Sequence, residues 1–486
     1  MKHVFFLFTL IVCSLMGFSQ KAVEKTNPMK VYMHYMPWFD TPETHPLLKW
    51  GWHWTMNTKN PGNIDADGKR EIASHYYPKI GPYASSDKDV IEYHLLLMKL
   101  SGVDGILIDW YGVKGSNGDI NELLRNSDSV VSYTDDFGLG FAVVLEDRFT
   151  GSVSNAKDNV TYLKNNYFSR AEYIRVGVNE DPLLMIFGPI TFQSPSQWTD
   201  ILSAAGEDVE FLTLWGESHD AGTNADGEQA WVWENEASDN FYSNLQGFYN
   251  SKAPGLKTVA GVAYPGFNDF YDEGGAGAGL FNIPHENGQT LDQTLSLATQ
   301  HSSSMEMLQL ATWNDFGEGT MFEPTDETGY SYLKKIQQYT GVPYGEYELN
   351  QVYKLYSLRK KNRFDPNILG QLDQASVHFR NLEIAEGVEI LNAIEPVTGL
   401  SEDESEDSQV NVYPNPVYTD YLTVELKEPL TKNTITLSDL LGNNIYQGST
   451  KEKTSSVSIH KGTAKGVYIL KVMNEKGVSS KRLIFK

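Results

Sequence analysis

The sequence is almost without cysteine: its single thiol among 486 residues is Cys13. This residue lies in an apolar run, residues 4–16, between a basic start and small or polar residues. That pattern predicts a secretory signal peptide over residues 1–20. We therefore expect a mature chain without a thiol, which excludes disulfides, cysteine nucleophiles and thiolate-bound metals. No other apolar run is long enough to span a bilayer, so we expect no stable membrane insertion.

Basic residues are also scarce, since 39 Lys and Arg stand against 63 Asp and Glu, for a formal net charge of -24. A nucleic-acid-binding surface needs clustered cations, so we expect no nucleic-acid partner. Aromatic residues, by contrast, make up 12% of the chain. Most of them are expected to fill a core, but rings in a cleft also serve as platforms for sugars or bases.

Apolar runs alternate with helix-like segments from residue 30 to residue 313, which predicts an α/β fold, a (β/α)₈ TIM barrel. An open doubly wound sheet is the competing arrangement, but no glycine-rich dinucleotide motif follows the first run. The predicted strands are residues 30–38, 103–110, 138–146, 182–187, 209–215, 230–233, 258–264 and 307–313.

Composition divides the whole chain into further segments. A run of Ser, Glu and Asp cannot bury a core and predicts a solvated linker. After it, short alternating strands between Gly, Asn and Pro turns predict a small β-sandwich; a carbohydrate-binding or fibronectin-like module is the alternative. The predicted domains are the barrel, residues 21–346; a helical extension, residues 347–396, with one long helical run at 369–394; the acidic linker, residues 397–408; and the sandwich, residues 409–486.

The last predicted barrel strand runs into residues 312–320, which turn polar, glycine-rich and doubly acidic. Hydrolysis of a glycosidic bond needs one carboxyl group to protonate the leaving oxygen and a second to act as base or nucleophile. If the chain curls at Gly317 and Gly319, Asp315 and Glu318 both face one cleft. These two acids are the candidate catalytic residues, and ordinary surface acids are the alternative interpretation.

Other predicted strand ends also carry polar or aromatic side chains, and a barrel gathers those ends on one face. We expect no cofactor and no metal; the one calcium-like stretch, residues 63–68, has Ser74 where the closing glutamate should be. The candidate substrate-binding residues are Tyr35, Trp38, His53, Trp54, Asp109, Trp110, Tyr111, Glu146, Trp215, Glu217, Trp233, Tyr264, Asn268, Asn314 and Glu323.

Three stretches resemble the clan that contains glycoside hydrolase families 99 and 71. Residues 75–87 and 104–112 are similar to the pattern of the endo-acting α-mannosidases and α-mannanases of family 99, and residues 314–324 resemble its acidic motif. The resemblance implies that Glu318 is the general acid. It implies that Asp315 is a general base that deprotonates the substrate's own 2-hydroxyl, with net retention. It also implies a substrate contact for Glu146.

The resemblance has two departures. Family 99 has glutamate where Asp315 stands, and the order around Asp315 is closer to family 71, whose members cut α-1,3-glucan with inversion. An arginine-containing motif of family 99 is replaced by the acidic, glycine-rich residues 267–275. We expect a secreted glycoside hydrolase that cleaves internal linkages of an α-linked polysaccharide, α-mannan before α-glucan. The alternative is a catalytically inactive glycan-binding barrel of a polysaccharide utilisation system; a polysaccharide lyase is disfavoured by the scarcity of cations.

Within the last segment, residues 413–416, 439–442 and 466–469 and the basic end at 481–486 resemble the C-terminal sorting domain of the type IX secretion system. This resemblance implies a Gram-negative source, with export through the periplasm and the outer membrane. The product would be secreted or held at the cell surface, with the secretion machinery as a partner.

Overall fold

The computed structural model describes residues 22–235, 240–394, 410–415, 417–418, 421–426, 432–439, 444–459, 466–474 and 477–485. The predicted signal peptide and the predicted acidic linker lie outside the described residues. The chain divides near residue 390 into two units, which are described separately.

Parallel strands close into a barrel in the first unit, which confirms the predicted (β/α)₈ fold. The barrel strands are β1 (Lys30–Tyr35), β2 (Gly105–Trp110), β3 (Gly140–Leu145), β4 (Asp181–Ile186), β5 (Glu210–Leu214), β6 (Gly227–Gln229), β7 (Thr258–Ala263) and β8 (Met307–Leu310). Their order is β3-β2-β1-β8-β7-β6-β5-β4, and pairing between β3 and β4 closes the ring. In register, Tyr32 of β1 lies opposite Gly105 of β2 and Gln309 of β8.

Burial explains why the barrel strands read as continuous apolar runs. Every residue of β2 and of β7 is buried, as expected for parallel strands that are covered on both faces.

The strand β6 does not lie in an apolar run. It was predicted at residues 230–233 and lies at 227–229, so that prediction is wrong. Its polar side chains are satisfied internally, since Glu228 accepts from the Ser218 hydroxyl and Gln229 donates to the Ile186 carbonyl. A buried strand whose side chains are polar and hydrogen-bonded lacks the apolar run from which a strand is predicted.

A helix follows each barrel strand, although the one after β5 is a single turn, Ser218–Ala221. The first of the longer helices, Lys88–Leu100, begins after Asp87, whose side chain accepts the Asp89 amide, and ends two residues before Gly102, whose φ is +76°. In the described part of the chain, no helix combines enough length with enough apolar character to cross a bilayer. The longer helices are α1 (Lys88–Leu100), α2 (Ile120–Phe137), α3 (Val153–Asn166), α4 (Pro195–Leu202), α5 (Phe241–Gly247), α6 (Gln289–Gln300) and α7 (Ser331–Thr340).

Three further helices follow the barrel: α8 (Glu346–Lys361), α9 (Pro366–Arg380) and α10 (Ile384–Ile394). Arg359 of α8 makes two bonds to Glu92 of α1, at 2.5 and 2.9 Å, and so holds this extension against the barrel. The predicted single helical run over 369–394 is wrong, because the chain breaks at Leu382, whose φ is +63°.

The second unit contains two antiparallel sheets, which confirms the predicted β-sandwich. Their orders are β9-β10-β13 and β12-β11-β14-β15, for β9 (Val410–Tyr413), β10 (Tyr421–Leu426), β11 (Asn433–Asp439), β12 (Asn444–Thr450), β13 (Thr454–Ser458), β14 (Gly466–Asn474) and β15 (Gly477–Phe485). Leu422 and Val424 of the first sheet share a core with Leu437 and Leu470 of the second. The strands β12 and β13 have no clear alternation of apolar and polar residues, since polar residues dominate both strands.

Candidate active site

A cavity of about 280 Å³ opens at the carboxyl ends of the barrel strands. Its walls combine carboxyl groups with aromatic rings, which is the combination expected for a site that binds and cleaves sugars. The lining residues are His34, Met36, Trp38, Trp52, His53, Met56, Asp109, Tyr111, Glu146, Arg148, Phe149, Phe187, Trp231, Tyr271, Asp315, Gly317 and Glu318.

The acidic turn that follows β8 is tied to the end of β1. The Trp313 amide donates to the His34 carbonyl at 2.6 Å. The Asn314 side chain accepts from the Met36 amide at 2.9 Å and donates to the Met36 carbonyl at 3.0 Å. Gly319 closes the turn with a φ of +66°, and a Cβ there would lie 2.7 Å from the Asn268 carbonyl oxygen. These contacts fix the direction in which the turn presents its acids.

Asp315 and Glu318 lie on this one turn, and both line the cavity. The Asp315 carboxylate accepts the Glu318 amide at 2.9 Å, and the Asp315 amide donates to the Thr312 hydroxyl at 2.8 Å. Asp315 is buried, whereas the side chain of Glu318 is half-buried. The structure therefore brings the two predicted catalytic acids together, one held by the backbone and one reaching toward solvent.

A second loop, which follows β7, supplies a hydroxyl group to this pair. Its backbone pairs with the acidic turn, because the Asn268 amide donates to the Glu318 carbonyl and the Phe270 amide to the Gly317 carbonyl. This pairing places the Tyr271 hydroxyl 2.9 Å from Glu318 Oε1, to which it donates. The loop occupies the acidic, glycine-rich stretch in which the sequence analysis found no candidate between residues 269 and 275.

Burial strongly perturbs the carboxyl groups of the cavity. It raises the pKa of Glu318 to about 7; the Tyr271 hydrogen bond opposes this shift, and the nearby charge of Asp269 contributes to it. Burial also raises the pKa of Asp315 well above its ordinary value, with a smaller contribution from repulsion by Glu318. Both groups therefore hold a proton to higher pH than an exposed carboxyl group does.

Two more carboxyl groups, Asp109 and Glu146, line the same cavity. Burial raises the pKa of Glu146 to about 7, although Arg148 lies 2.9 Å away and favours the ionised form. Burial and repulsion by Glu146 raise the pKa of Asp109 well above its ordinary value. Among the described lining residues Arg148 is the one Arg or Lys, so a neutral ligand suits this cavity better than an anionic one.

The aromatic walls are ordered by ring contacts. Trp38 stacks on His53, with ring centroids 4.0 Å apart, and Trp231 meets His34 edge-on at 4.7 Å. Burial lowers the pKa of both histidines to about 3, so both are neutral at ordinary pH. Together these rings form apolar faces against which a sugar ring can pack.

The structure places seven of the predicted site residues in this cavity and leaves others outside it. Trp38, His53, Asp109, Tyr111 and Glu146 line it with Asp315 and Glu318. Trp215, Glu217 and Trp233 instead line a second cavity. The side chains that lie behind the wall or off the cavity are Tyr35, Trp54, Trp110, Tyr264, Asn268, Asn314 and Glu323.

Core packing explains most of these displaced residues. Trp54 stacks on Phe39, and Trp110 stacks on Tyr162. The Tyr35 hydroxyl lies 3.0 Å from His94 Nδ1. Tyr264 is buried, and its ring packs near Phe241. The Asn268 side chain accepts from the Asn282 amide group. These side chains were expected to line the cleft, but they do not line the described cavity. Neighbouring side chains on a strand point alternately inward and outward, so Tyr35 of β1 and Trp110 of β2 lie outside the cavity that His34 and Asp109 line.

Seven polar or aromatic lining residues were not among the predicted site residues: His34, Trp52, Arg148, Phe149, Phe187, Trp231 and Tyr271. Trp231 lies two residues before the predicted Trp233, and Arg148 two residues after the predicted Glu146. His34 precedes the predicted Tyr35 by one position. Strand parity was the available signal for His34, which lies in β1, whereas Tyr271 depends on a loop-to-loop pairing that has no local signature.

Glu323 belongs to a buried polar network behind the acidic turn. The Tyr83 hydroxyl donates to Glu323 Oε2 at 2.6 Å, and His94 Nε2 lies 3.3 Å from Glu323 Oε1. The Asn314 amide group in turn donates to the Tyr83 hydroxyl at 3.0 Å. Glu323 is fully buried, so its carboxylate holds the turn in position and does not face the cavity.

We predict that Glu323→Ala destabilises the barrel by about 3 kcal/mol, because Tyr83 and His94 lose a buried partner. Thermal denaturation should show a midpoint lower by roughly 5 °C or more, and Glu323→Gln, which keeps an acceptor, should lose less. The control is Glu389→Ala, since Glu389 is exposed on α10. An unchanged midpoint with weakened substrate binding would instead support the substrate contact expected from the sequence.

One group of possible metal ligands occurs among the described residues. The side chains of Glu217, His219 and Asp220 place their ligand atoms within 4.8 Å of one another. They lie partly or fully exposed after β5, outside the acidic cavity.

Family models match two regions of the chain. Residues 27–261 match the model of glycosyl hydrolase family 99, and residues 411–486 match that of the secretion system C-terminal sorting domain. The first match includes Asp109 and Glu146 and ends before Asp315 and Glu318.

Similar proteins share the barrel region. A glycoprotein endo-alpha-1,2-mannosidase of Xenopus laevis is 24% identical over 203 residues, which are 38% of this chain and 44% of that protein. The protein of the same name from Rattus norvegicus is 23% identical over 204 residues, 39% of this chain and 43% of that protein. The chain thus spans less than half of the length of these relatives.

A solved structure shares the fold. The GH99 endo-alpha-mannosidase from Bacteroides thetaiotaomicron superposes with a TM-score of 0.51 at 18% identity, covering 66% of this chain and 98% of that one. The matching models and this shared barrel agree with the observed architecture. Residues 27–261 are therefore similar to glycosyl hydrolase family 99, and residues 411–486 are similar to a secretion system C-terminal sorting domain.

Proposed function

We propose that the barrel hydrolyses internal linkages of an α-linked polysaccharide, with α-mannan as the preferred substrate and α-glucan as the next. The observation that carries this proposal is that Asp315 and Glu318, both with raised pKa values, line one aromatic-walled cavity. Two carboxyl groups beside a sugar-sized space are what acid–base cleavage of a glycosidic bond requires.

Glu318 is proposed as the general acid. Its half-buried carboxyl group reaches the cavity, and its pKa of about 7 keeps a proton available under neutral or mildly acidic conditions. It donates that proton to the leaving glycosidic oxygen as the bond to the anomeric carbon breaks. The Tyr271 hydroxyl then stabilises the carboxylate that remains.

Asp315 is proposed as the general base. Its raised pKa makes it a stronger base than an exposed aspartate, once it has lost its own proton. It removes a proton either from water or from the substrate's own 2-hydroxyl group. The first route inverts the anomeric configuration; the second passes through an anhydro sugar and retains it. Proton NMR of the first-formed anomer distinguishes the two routes.

The proposed preference for α-mannan rests on the names of similar proteins and on the charge of the acidic cavity. The similar animal proteins are named endo-alpha-1,2-mannosidases, and the similar bacterial structure an endo-alpha-mannosidase. The acidic cavity favours a neutral polymer over one that bears uronic acids. Aspartate at position 315, where family 99 carries glutamate, keeps α-1,3-glucan as the second choice.

The test of this function is incubation of the full chain with separate α-mannans and α-glucans, followed by mass analysis of the released oligosaccharides. We expect a ladder of internal fragments from α-mannan. Release of single sugars alone would contradict internal cleavage. Binding of a polymer without any product would favour the glycan-capturing alternative, and unsaturated products that absorb in the ultraviolet would indicate a lyase.

We also propose that the second unit directs export through the type IX secretion machinery to the cell surface or the medium. The matched sorting-domain model supports this route. Cell fractionation of the native host tests it: the barrel should reach the surface or medium, and deletion of residues 409–486 should retain it in the periplasm.

Tyr271→Phe should move the pH dependence of activity in a defined direction. The Tyr271 hydrogen bond lowers the pKa of Glu318, so its removal raises that pKa. The acid then keeps its proton to higher pH, and the alkaline fall of kcat/KM shifts upward, while kcat itself decreases. The measurement is the pH profile of kcat/KM, which reports the free enzyme.

Tyr111→Phe is the matched control for this variant. It removes another hydroxyl group from the cavity, where the Tyr111 ring packs on Phe149 at 4.5 Å. Its alkaline limb should stay in place. A downward shift in Tyr271→Phe, or an equal shift in both variants, would contradict the contact between Tyr271 and the acid.

A further inference from the structure

We propose that a second cavity beside the acidic one is a distal sugar-binding site, which holds a neutral segment of the polysaccharide whose cleavage is proposed above. This cavity has a volume of about 560 Å³ and is lined by residues that follow β5 and β6 and by residues of α5 and the turn after it. The inference rests on the proposed function, because it places further sugar units of the same substrate in a separate site.

The first argument is the exposure of tryptophan. Trp233 is 41% exposed and Trp215 is partly exposed, although both rings are large and apolar. Phe248, which also lines this cavity, packs edge-on against Trp215, with ring centroids 5.5 Å apart. Exposed tryptophan faces are costly in water and suit the apolar face of a sugar.

The second argument is the balance of polar groups. Glu217 and Lys252 contribute one charge of each sign, and Asn244 adds an amide group. A wall without net charge that carries both donors and acceptors matches the hydroxyl groups of a neutral sugar. It does not match a phosphate or a uronic acid, which would need an excess of cations.

The third argument is continuity with the acidic cavity. Trp231 lines the acidic cavity, and Trp233, two positions later, lines the second one. Two residues of extended chain span at most about 7 Å, so one short segment contributes a ring to each cavity. The Trp215 amide also donates to the Gln229 carbonyl at 2.9 Å, which joins the two strand ends that form the second cavity.

Other cavities of the described chain lack this character. In one of them, of about 520 Å³, Lys257 already pairs with Glu210 at 2.9 Å and with Asp226 at 2.7 Å. In another, Arg359 pairs with Glu92 and with Asp373. The charged groups of these two cavities are already paired within the protein, whereas the tryptophan rings beside α5 face open space.

The test is the double variant Trp215→Ala/Trp233→Ala, compared with the wild type on polymeric α-mannan and on a short α-mannooligosaccharide that fills the acidic cavity alone. We expect KM for the polymer to rise by about 10-fold or more, since stacked rings contribute to binding on that scale. Both kcat and KM for the short substrate should stay within about 2-fold. Trp215→Phe/Trp233→Phe, which keeps aromatic faces, should recover part of the loss.

Phe364→Ala is the control, because Phe364 is an exposed aromatic side chain (85%) that lines neither cavity. Its polymer KM should be unchanged. An unchanged polymer KM in the double tryptophan variant, or an equal loss on polymer and short substrate, overturns the inference. The thermal midpoint of each variant shows whether it is folded.

A binding measurement separates failure of this inference from failure of the proposed function. Gel electrophoresis through α-mannan, with Glu318→Gln carried in every variant, reports affinity without turnover. Loss of retardation in the double tryptophan variant supports the distal site even if the wild type cleaves no polymer. Full retardation there overturns the site even if the wild type is an active hydrolase.

Discussion

The Glu318→Gln variant is expected to lose almost all turnover and to keep its affinity for substrate. Glutamine has the same shape and still accepts from the Tyr271 hydroxyl, but it has no proton to give to the leaving oxygen. General acid catalysis contributes roughly 10²- to 10⁴-fold, so kcat should fall by at least that factor. Initial rates on α-mannan and equilibrium binding of an oligosaccharide measure the two quantities separately.

The pH profile of this variant carries a second expectation. In the wild type, Glu318 must hold its proton to act as an acid, so kcat/KM falls as the pH rises through about 7. The residual activity of Glu318→Gln should lack that alkaline fall. Glu273→Gln is the matched control, because Glu273 lies in the neighbouring loop with its side chain 55% exposed. Normal activity in Glu318→Gln would end the assignment of the acid.

The Asp315→Asn variant is expected to show a loss of similar size. Asparagine keeps an oxygen for the Glu318 amide, so the acidic turn should keep its shape. It cannot take a proton from water or from a hydroxyl group, and kcat should fall by roughly 10²- to 10⁴-fold. The thermal midpoint should not decrease, since the substitution removes a charge that burial and Glu318 both disfavour.

The acid limb of the pH profile identifies this role. Asp315 must lose its proton to act as a base, so wild-type activity rises as the pH rises through its elevated pKa. That rise should be absent from the residual activity of Asp315→Asn. Asp272→Asn, an exposed aspartate of the loop after β7, is the control and should retain both limbs. A folded Asp315→Asn with full activity would remove the base from the mechanism.

Most of the barrel could be predicted because its strands are buried on both faces. All strands except β6 overlap the predicted apolar runs, since parallel strands under helices leave no polar face. The position of the strand β6 was not predicted, because its side chains Glu228 and Gln229 are polar, buried and hydrogen-bonded. The sandwich strands β12 and β13 likewise lack a clear alternation of apolar and polar residues.

The candidate site was predicted in part. Asp315 and Glu318 could be identified because acids, glycines and an aromatic residue follow an apolar strand within one turn. Trp215 and Trp233 were predicted as substrate-binding residues, but the sequence did not indicate that they line a second cavity. Tyr271 could not be found, because it lies on a separate loop, 47 positions before Glu318 in the chain.

The sequence by itself determined the class of the fold, the order of its elements and the acidic turn, because these follow from local patterns of apolar, polar and glycine residues. Only the tertiary structure decided which side chains meet. Closure of the barrel brings His34, Asp109, Glu146, Trp231 and Tyr271 to the acids of the last strand. These contacts depend on the order of the strands, on the direction in which each side chain points and on pairing between loops that are far apart in the chain. No local sequence pattern indicates them.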